Sequence, residues 1–483
     1  MIEDLRNERL KKLEKLVSLG YEVFPASTKR TATVAEVLKG FQKLARGRKK
    51  VSVVGRIMGM RNQGSLIFLD LRDATETIQI VAKKNEIRDF SVFQNNLDIG
   101  DFLEATGQPF VTKRGEKSIE AKSLNILSKS LRPLPSQWHG LEDTEIRFRK
   151  RYLDLLMRPE LRSLFEAKMR FWATTRAHLV EHGFIEVETP VLESVPGGAE
   201  AEPFVTHHNA LDQDFYLRIS LELPLKRLMV GGFEKVFEIG RIFRNEGIDA
   251  EHLQDYTQME LYWAYQDYAG LMAFIEKLVK RVVKSTTGSF TTISQGKKIN
   301  WGRKWPRLEY YDLFKKGTGI NLHTASEKDL REKAEKLGLS ALLHRASKGR
   351  IVDLLFKHTV RQELTQPAFL VNPPVEIEPL AKRMRKDQGR VERFQVVGCG
   401  TELGKGFSEL NDPLDQRKRF EEQMALRAAG DKEAQMIDDD YLEAMEYGMP
   451  PTAGFGMSER LFAILMDKPV RETVIFPLMR KKQ

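Results

Sequence analysis

The first residues of the chain show a helical spacing of apolar side chains. Leucines recur among charged residues and are followed by Gly20; they are Leu5, Leu10, Leu13, Leu16 and Leu19. Because apolar residues at this spacing share one face of a helix, and glycine often ends one, the pattern predicts an amphipathic helix that stops at Gly20.

From Val51 the pattern changes to short runs typical of β-strands. The runs are Val51–Met58, Ser65–Leu71, Thr77–Ala82, Phe102–Gly107 and Ser118–Leu127, with a helical stretch near Glu86–Asn95. Five strands with a helix after the third predict an OB-fold β-barrel. Such barrels commonly bind single-stranded nucleic acid on one open face, although the fold alone does not establish that role.

Pro133 and Pro135 mark a break after these runs, because each proline lacks an amide donor and restricts its predecessor. Beyond them, helical and strand patterns alternate irregularly, with one clear helical stretch at Glu327–Leu337. This favours an α+β domain with a largely antiparallel sheet over a doubly wound one. We predict an N-terminal helical segment at 1–48, an OB-fold domain at 49–130, a linker at 131–148 and an α+β domain at 149–483.

Composition narrows the class of protein. The chain has 483 residues, 41% of them hydrophobic and 30% charged, which predicts a folded protein of two or more domains. Met1–Leu5 lacks a signal pattern and no apolar run approaches the length of a membrane span, so we expect a cytoplasmic protein without membrane contact. The single cysteine, Cys399, excludes an intrachain disulfide and a multi-cysteine zinc site. The net charge of +10 suits a polyanionic partner, although many basic proteins bind no nucleic acid.

The densest group of polar and aromatic residues lies between Val236 and Trp263. Read with a period of two, its last run has one polar and aromatic face (Tyr256, Gln258, Glu260, Tyr262) and one core face (Met259, Leu261, Trp263). An arginine such as Arg244 can clamp a carboxylate or phosphate, an aromatic ring can stack on a purine and a glutamate can hold an ammonium group. These are the needs of an amino-acid-activating site. The alternative reading is an ordinary solvated sheet face.

This stretch resembles the second signature motif of class II aminoacyl-tRNA synthetases, with FRNEG at 243–247 and MELY at 259–262. Gly183–Pro190 resembles the first motif, and Gly454–Arg460 resembles the third, a strand that runs into a helix. Three further segments resemble lysyl-tRNA synthetases of this class: Arg149–Leu155, Thr206–Leu211 and Gly406–Pro413. The resemblance covers nearly the whole chain. It implies an OB-fold domain, a class II catalytic domain, and ATP-dependent activation of L-lysine to lysyl-adenylate with transfer to tRNA(Lys).

The resemblance also implies roles for individual residues. The residues of the implied lysine pocket are Gly198 and Glu222 for the α-amino group, Arg244 for the carboxylate, Glu260, Tyr262 and Glu409 around the side-chain ammonium, and Phe407 on the methylenes. Two carboxylates suit a buried cation, which is costly unless paired, and they would repel aspartate. The residues of the implied ATP site are Tyr256 on adenine, Glu246 near the base, Gly454 and Gly456 where a flat base needs room, His252 and Arg460 at the terminal phosphate, and Arg244 and Glu402. Arg244, with Arg460, is the expected stabiliser of in-line attack on the α-phosphorus.

Two positions depart from the family pattern. The family usually binds Mg²⁺ between the phosphates with two glutamates; Glu402 fits the second, but Gln395 stands where the first is expected. Lys405 replaces a usual asparagine, on the same strand face as Phe407 and Glu409. Several interpretations stay open: lost activity, a neutral change in which the Gln395 amide oxygen still binds the metal, a compensating pair in which Lys405 partly replaces Mg²⁺, or a Lys405 that points to solvent.

The resemblance further implies partners. Arg61, Phe68 and Gln79 match positions that read the tRNA anticodon by stacking and edge contacts, although Phe68 could instead be core and Gln79 a solvated strand residue. The first motif implies a homodimer through Phe171–Pro190, a segment that carries the apolar residues Phe171, Trp172, Leu179 and Phe184.

Two other functional classes compete with the synthetase. One is a nucleic-acid-binding or regulatory relative that keeps the fold without aminoacylation, for which Gln395 and Lys405 are the best support. The other is a ligase that attaches lysine to a protein. The predicted OB-fold domain argues against this second class, since such relatives generally lack an anticodon domain.

Overall fold

The computed structural model describes residues 2–135, 141, 143–247, 253–343, 346–430 and 434–481. The chain divides into two compact units, Met1–Arg147 and Phe148–Gln483. Among the described residues, no helix is long and apolar enough to cross a lipid bilayer.

The first unit is a closed five-stranded barrel with helices around it. Its elements are α1 (Ile2–Ser18), α2 (Val34–Lys39), α3 (Phe41–Arg46), β1 (Val51–Gln63), β2 (Leu66–Arg72), β3 (Thr77–Lys83), α4 (Phe90–Asn96), β4 (Phe102–Val111) and β5 (Lys117–Ser128). The strand order β1-β2-β3-β5-β4, with α4 after the third strand, confirms the predicted OB-fold. The first strand is longer than predicted, because it continues past a bulge between Ile57 and Gly59.

The leading helix is confirmed, but only Leu16 in its last turn is fully buried. Leu16 has no exposed surface, whereas Leu5 and Leu19 are 43% and 46% exposed. The helix ends at Ser18, and Gly20 follows with a φ of +83°, a conformation that glycine adopts at little cost. The spacing therefore predicted the helix correctly but overstated how much of its apolar face is covered.

The second unit is built on one large sheet. The helices from the boundary onward are α5 (Thr144–Arg149), α6 (Arg151–Met157), α7 (Pro159–Glu181), α8 (Glu222–Val230), α9 (Tyr268–Thr287), α10 (Tyr310–Thr318), α11 (Glu327–Lys336), α12 (Lys348–Thr359), α13 (Pro413–Ala428), α14 (Asp439–Glu446) and α15 (Arg460–Leu465). The strands are β6 (Ile185–Glu186), β7 (Leu192–Glu193), β8 (Val205–His208), β9 (Gln213–Leu217), β10 (Lys235–Phe243), β11 (Asp255–Ala264), β12 (Thr291–Ser294), β13 (Lys297–Asn300), β14 (Arg307–Glu309), β15 (Ala368–Val371), β16 (Arg383–Met384), β17 (Asp387–Val391), β18 (Arg393–Gly398), β19 (Thr401–Ser408) and β20 (Thr452–Ser458).

Eight of these strands form the sheet in the order β14-β15-β18-β19-β20-β11-β10-β6. The five pairings from β15 to β10 are antiparallel, and the two outermost pairings are parallel. The prediction of an α+β domain with a largely antiparallel sheet is therefore confirmed.

One face of the sheet packs on α7 and α9, whose buried side chains join the strand residues Phe237, Met259 and Leu261 in one core. The predicted interface residues Phe171, Leu179 and Phe184 belong to this core and are at most 3% exposed. Residues of the same chain bury them, so the expectation that they supply an intersubunit surface was wrong. The segment Phe171–Pro190 still has the exposed apolar residues Val180 and Ile185, and Met169, just before it on α7, is exposed as well.

Candidate active site

The opposite face of the sheet lines a cavity of about 660 Å³. The predicted lysine-site and ATP-site residues that the structure describes all line this cavity: Gly198, Glu222, Arg244, Glu246, Tyr256, Glu260, Tyr262, Gln395, Glu402, Phe407, Glu409, Gly454, Gly456 and Arg460. His252 lies outside the described residues.

Strand β11 divides its side chains as its alternation predicts. Met259 and Leu261 are fully buried in the core shared with α9, while Gln258, Glu260 and Tyr262 line the cavity. The strand pairs with β10 on one side and β20 on the other, so it is not an edge with a solvated face. The alternative of an ordinary solvated sheet face is wrong for this strand.

Glu260 is a buried carboxylate held by several donors. Its Oε1 accepts hydrogen bonds from Ser220 Oγ (2.8 Å), the Leu221 amide (3.1 Å) and Gln258 Nε2 (2.6 Å), and its Oε2 accepts one from Tyr262 Oη (2.9 Å). These bonds fix the carboxylate against the cavity wall. The carboxylate is thereby held in place where a cation in the cavity could contact it.

Glu409, just after β19, is also buried, but its main partner is a cation and not a set of hydrogen-bond donors. It is 1% exposed, and its Oε2 lies 2.5 Å from Lys226 Nζ. Its Oε1 has no hydrogen-bond partner among the described residues. Burial raises the pKa of the Glu409 carboxyl well above its ordinary value, although the Lys226 charge opposes that shift. Because a buried carboxylate oxygen without a partner is costly, a cation at this point of the cavity would stabilise the charged form.

Lys226 is the main site residue that the sequence interpretation missed. It lies one turn after Glu222 on α8, and its ammonium group contacts Glu222 Oε1 and Glu409 Oε2, both at 2.5 Å. Burial raises the pKa of the Glu222 carboxyl to about 7, although the Lys226 charge opposes that shift. The Glu-to-Lys spacing of four residues, about one helical turn, was the available signal, but such a spacing indicates only an intrahelical pair.

Glu222 comes close to Gly198, which has a φ of +81°. A Cβ atom at Gly198 would lie 2.7 Å from the Glu222 Cβ and 3.0 Å from the Ser220 Cβ. Both the backbone conformation and the space therefore require glycine here. The result is a backbone segment set beside a carboxylate at the cavity wall.

Arg244 reaches the cavity from the end of β10. Its Nε and Nη2 both donate to the Ile219 carbonyl at 3.3 Å, and its guanidinium carbon lies 5.6 Å from the centre of the Tyr256 ring. These contacts orient the guanidinium group beside an aromatic ring. An anion and a flat base could therefore bind next to each other at this end.

Glu402 lies among cations in the same cavity. Burial would raise the pKa of its carboxyl, but Arg393, Lys405 and Arg460 together bring that pKa below the ordinary value. The Gln395 side-chain amide donates a hydrogen bond to Glu402 Oε2. Gln395 and Glu402 are therefore adjacent, as the family pattern implies for a metal-binding pair.

Lys405 lines the cavity with a side chain that is 37% exposed, and its ammonium group has a buried partner. Its ammonium group lies 3.1 Å from Glu378 Oε2, and Arg393 Nε lies 3.2 Å from the same oxygen. Burial opposes its charge, but Glu378 raises the pKa of Lys405 above the ordinary value. Glu378, which was not singled out in the sequence, thus shares its charge with two cations at the cavity wall.

Gln395 and Glu402 are the oxygen donors that the family pattern assigns to magnesium. Among the described residues, no group of three or more His, Cys, Asp or Glu side chains is arranged to hold a metal. Glu402 offers one carboxylate and Gln395 one amide oxygen. Because Mg²⁺ is commonly held by one or two carboxylates together with substrate phosphates and water, this pair is sufficient for one ion bound with ATP.

The three predicted anticodon residues share the outer face of the barrel. Arg61 pairs with Phe68 across β1 and β2, and Gln79 pairs with Asp70 across β2 and β3, so all four side chains lie on the face opposite to the buried Ile67 and Leu69. Phe68 is only partly buried, so the alternative that it is core is disfavoured. Gln79 Oε1 accepts a hydrogen bond from Ser118 Oγ at 3.0 Å.

The chain is similar to known proteins over its full length. Residues 143–480 match the family of class II tRNA synthetases (D, K and N), and residues 51–127 match the OB-fold nucleic acid binding domain of the anticodon-binding type. A lysine–tRNA ligase of Moorella thermoacetica is 43% identical, over 99% of this chain and 98% of that protein. A lysine–tRNA ligase of a Roseiflexus species is 44% identical, over 100% and 99%, and that of Trichormus variabilis is 42% identical, over 99% and 88%. With its active-site cavity on an antiparallel sheet and its barrel of the anticodon-binding type, the chain belongs to the lysine–tRNA ligase family of class II aminoacyl-tRNA synthetases.

Proposed function

We propose that the cavity binds L-lysine and ATP side by side, forms lysyl-adenylate, and passes the lysyl group to tRNA(Lys). The observation that carries the lysine assignment is Glu409 Oε1, a buried carboxylate oxygen without a hydrogen-bond partner in the described part of the chain. An ammonium group is the ligand that such an oxygen requires.

The substrate side chain would enter between Glu409 and Glu260. Tyr262 donates to Glu260 Oε2, and Phe407, 4% exposed, offers an apolar surface for the methylenes. The α-amino group would bind Glu222 and the Gly198 carbonyl, and the carboxylate would bind Arg244. A side chain without a terminal cation would leave Glu409 unpaired, which is the physical basis of lysine selectivity.

Adenylate formation needs position and positive charge more than acid or base catalysis. A lysine carboxylate oxygen attacks the α-phosphorus in line, and the bond to the β-phosphate bridging oxygen breaks as pyrophosphate leaves. Tyr256 would stack on adenine, with Glu246 near the base and Arg460 at the phosphates. Arg244 would neutralise charge that develops on the α-phosphate. A magnesium ion held by Glu402 and Gln395 together with the phosphates would supply further neutralisation of phosphate charge.

The barrel and the region of α7 and β6 carry the surfaces that would bind the remaining partners, tRNA and a second copy of the chain. The outer barrel face with Arg61, Phe68 and Gln79 has the stacking and hydrogen-bonding groups that single-stranded anticodon bases require. The exposed apolar residues Met169, Val180 and Ile185 would lie in a homodimer interface.

The test is pyrophosphate exchange into ATP with each of the standard amino acids, followed by charging of tRNA. Exchange that depends on lysine and is negligible with aspartate and with uncharged amino acids, with charging of tRNA(Lys), is the expected result. Tight tRNA binding without lysine-dependent exchange would instead indicate a relative that kept the fold and lost the reaction.

A further inference from the structure

Lys226 links two carboxylates that come from different parts of the fold. Glu222 is one helical turn away on α8, and Glu409 follows β19. The Lys226 ammonium group lies 2.5 Å from an oxygen of each and 5.3 Å from the centre of the Phe407 ring, and its side chain has no exposed surface. It therefore lies behind the cavity wall and does not compete for the substrate's position.

The contacts with Lys226 use one oxygen of each carboxylate. Glu222 gives Oε1 to Lys226, and Glu409 gives Oε2, while Glu409 Oε1 is without a hydrogen-bond partner among the described residues. Both glutamates line the cavity. A single buried cation thus holds two carboxylates that line the cavity, each by an oxygen at 2.5 Å.

We propose that Lys226 is a positioning and specificity-determining residue, which holds Glu222 and Glu409 charged and aimed at the two ammonium groups of the substrate. This inference rests on the proposed function. Lys226 touches neither substrate nor ATP, and it acts through the two carboxylates.

The charge balance supports this role. Three carboxylates (Glu222, Glu260, Glu409) against two cations (Lys226, Arg244) leave the ionised pocket with one net negative charge. Lysine at neutral pH carries one net positive charge, so the complex is neutral. Without Lys226 the ionised pocket would carry two negative charges, and in a buried site a carboxyl group would take up a proton instead.

Several other titratable groups lie near Glu222, Glu409 and Lys226 and affect their pKa values. They are Glu260 and Tyr262 from β11, Tyr441 from α14, Lys405 from β19 and Glu378. Desolvation raises the pKa of Glu409 as it does that of Glu222, and Lys226 opposes both shifts. A protonated carboxyl cannot pair with an ammonium ion, so lysine affinity should rise as the pH increases through about 7, the value for Glu222.

The experiment measures the lysine KM and the ATP KM in pyrophosphate exchange between pH 6 and 8.5, for the parent and for Lys226→Met, Lys226→Gln and Lys226→Arg. In the methionine and glutamine variants the lysine KM should rise roughly tenfold or more at pH 7, the effect of losing a charged hydrogen bond. The pH at which lysine affinity rises should also increase in these variants. Without the Lys226 cation, the pKa values of the Glu222 and Glu409 carboxyls rise further, so a higher pH is needed to ionise them. The ATP KM should stay within about twofold, and the arginine variant should keep the pH midpoint of the parent.

A matched control is Lys129→Met in the barrel unit. Lys129 is also fully buried between two carboxylates, at 2.5 Å from Asp98 and 2.7 Å from Asp101, but it is remote from the lysine pocket in sequence and fold unit. It should lower the melting temperature and leave the lysine KM and its pH midpoint unchanged. If methionine at 226 prevents folding, glutamine, whose amide can still donate to a carboxylate, carries the test.

Two results would overturn the inference: a folded neutral variant whose lysine KM and pH midpoint match the parent, or an arginine variant that shifts the midpoint as far as methionine does. Absence of lysine-dependent exchange in the parent would instead refute the proposed function itself.

Discussion

Glu409 Oε1 lies in the space that a side chain at Gly454 would fill, because a Cβ atom on Gly454 would overlap this oxygen. The same Cβ would lie 2.6 Å from Tyr262 Cε1. Only the missing side chain on β20 lets the carboxylate and the tyrosine ring converge, so the lysine pocket depends on a residue that contributes no functional group.

Gly454→Ala should therefore displace Glu409 and Tyr262 and reduce kcat/KM for lysine by about a hundredfold, the scale of a misplacement near 1 Å. Gly456→Ala on the same strand is the matched control. Its Cβ would lie 3.4 Å from Glu260 Cγ, a tolerable contact, so kcat/KM for lysine at saturating ATP should fall only mildly, even though the Cβ would take room from the base. Steady-state pyrophosphate exchange measures both, and equal losses in the two variants would refute the steric argument.

Phe68→Ala should weaken tRNA charging by about 1–3 kcal/mol, the value of stacking one base, while leaving lysine-dependent pyrophosphate exchange unchanged. Phe68 lies on the outer barrel face, whereas its neighbour Leu69 is fully buried in the barrel core. Leu69→Ala is thus the contrasting variant, expected to destabilise the barrel by about 2–5 kcal/mol in denaturant unfolding. Should Phe68→Ala destabilise the barrel as much as Leu69→Ala, Phe68 would be a packing residue.

The departures at Gln395 and Lys405 predict a change in magnesium dependence. Lys405→Asn removes a cation near Glu402, so adenylate formation should fall and need more Mg²⁺. Adding Gln395→Glu supplies a second carboxylate and should restore part of the loss. Glu378 would keep Arg393 as its partner, at 3.2 Å, which limits damage to the cavity wall.

Magnesium titrations of pyrophosphate exchange compare the parent, the single variant and the double variant. Lys382→Asn, a surface lysine that bonds to Asn411, is a control expected to follow the parent curve. If the curve for Lys405→Asn overlays that of the parent, Lys405 does not replace Mg²⁺ and serves only as the ion-pair partner of Glu378.

The dimer proposal rests on exposed residues of α7 and β6. Met169 is 74% exposed and Ile185 is 53% exposed. Light scattering at micromolar concentration should give about twice the chain mass of 55.5 kDa. Met169→Glu with Ile185→Glu should lower that mass, while the exposed Leu414→Glu on α13 should not. A parent that is monomeric and still charges tRNA would contradict the proposal.

The sequence predicted the elements better than it predicted what covers them. The alternation in Tyr256–Trp263 assigned the two faces of β11 correctly, because the period of two depends only on local geometry. Phe171, Leu179 and Phe184 were expected to face a second subunit, but they are buried by residues of the same chain. Spacing identifies an apolar face and carries no information about whether the same chain or a second one buries it.

The site residues show the same division. Glu222 and Glu409 could be named from motif resemblance, whereas Lys226 and Glu378 could not, since their importance lies in contacts with residues far along the chain. Long-range ion pairs depend on the register of α8, β19 and the segment before β16, which single-residue patterns do not specify.

The central claim is that Glu409 receives the ammonium group of lysine, and the most direct test is calorimetric binding of L-lysine and of norleucine, the analogue that lacks the terminal amino group, to the parent and to Glu409→Gln. The parent should bind lysine and reject norleucine. Glu409→Gln should bind lysine more weakly by about 1.5–3 kcal/mol, narrow the gap to norleucine and keep the ATP affinity of the parent, because only a charged hydrogen bond in the lysine pocket is lost. Unchanged lysine affinity in Glu409→Gln, with ATP binding reduced instead, would contradict the account.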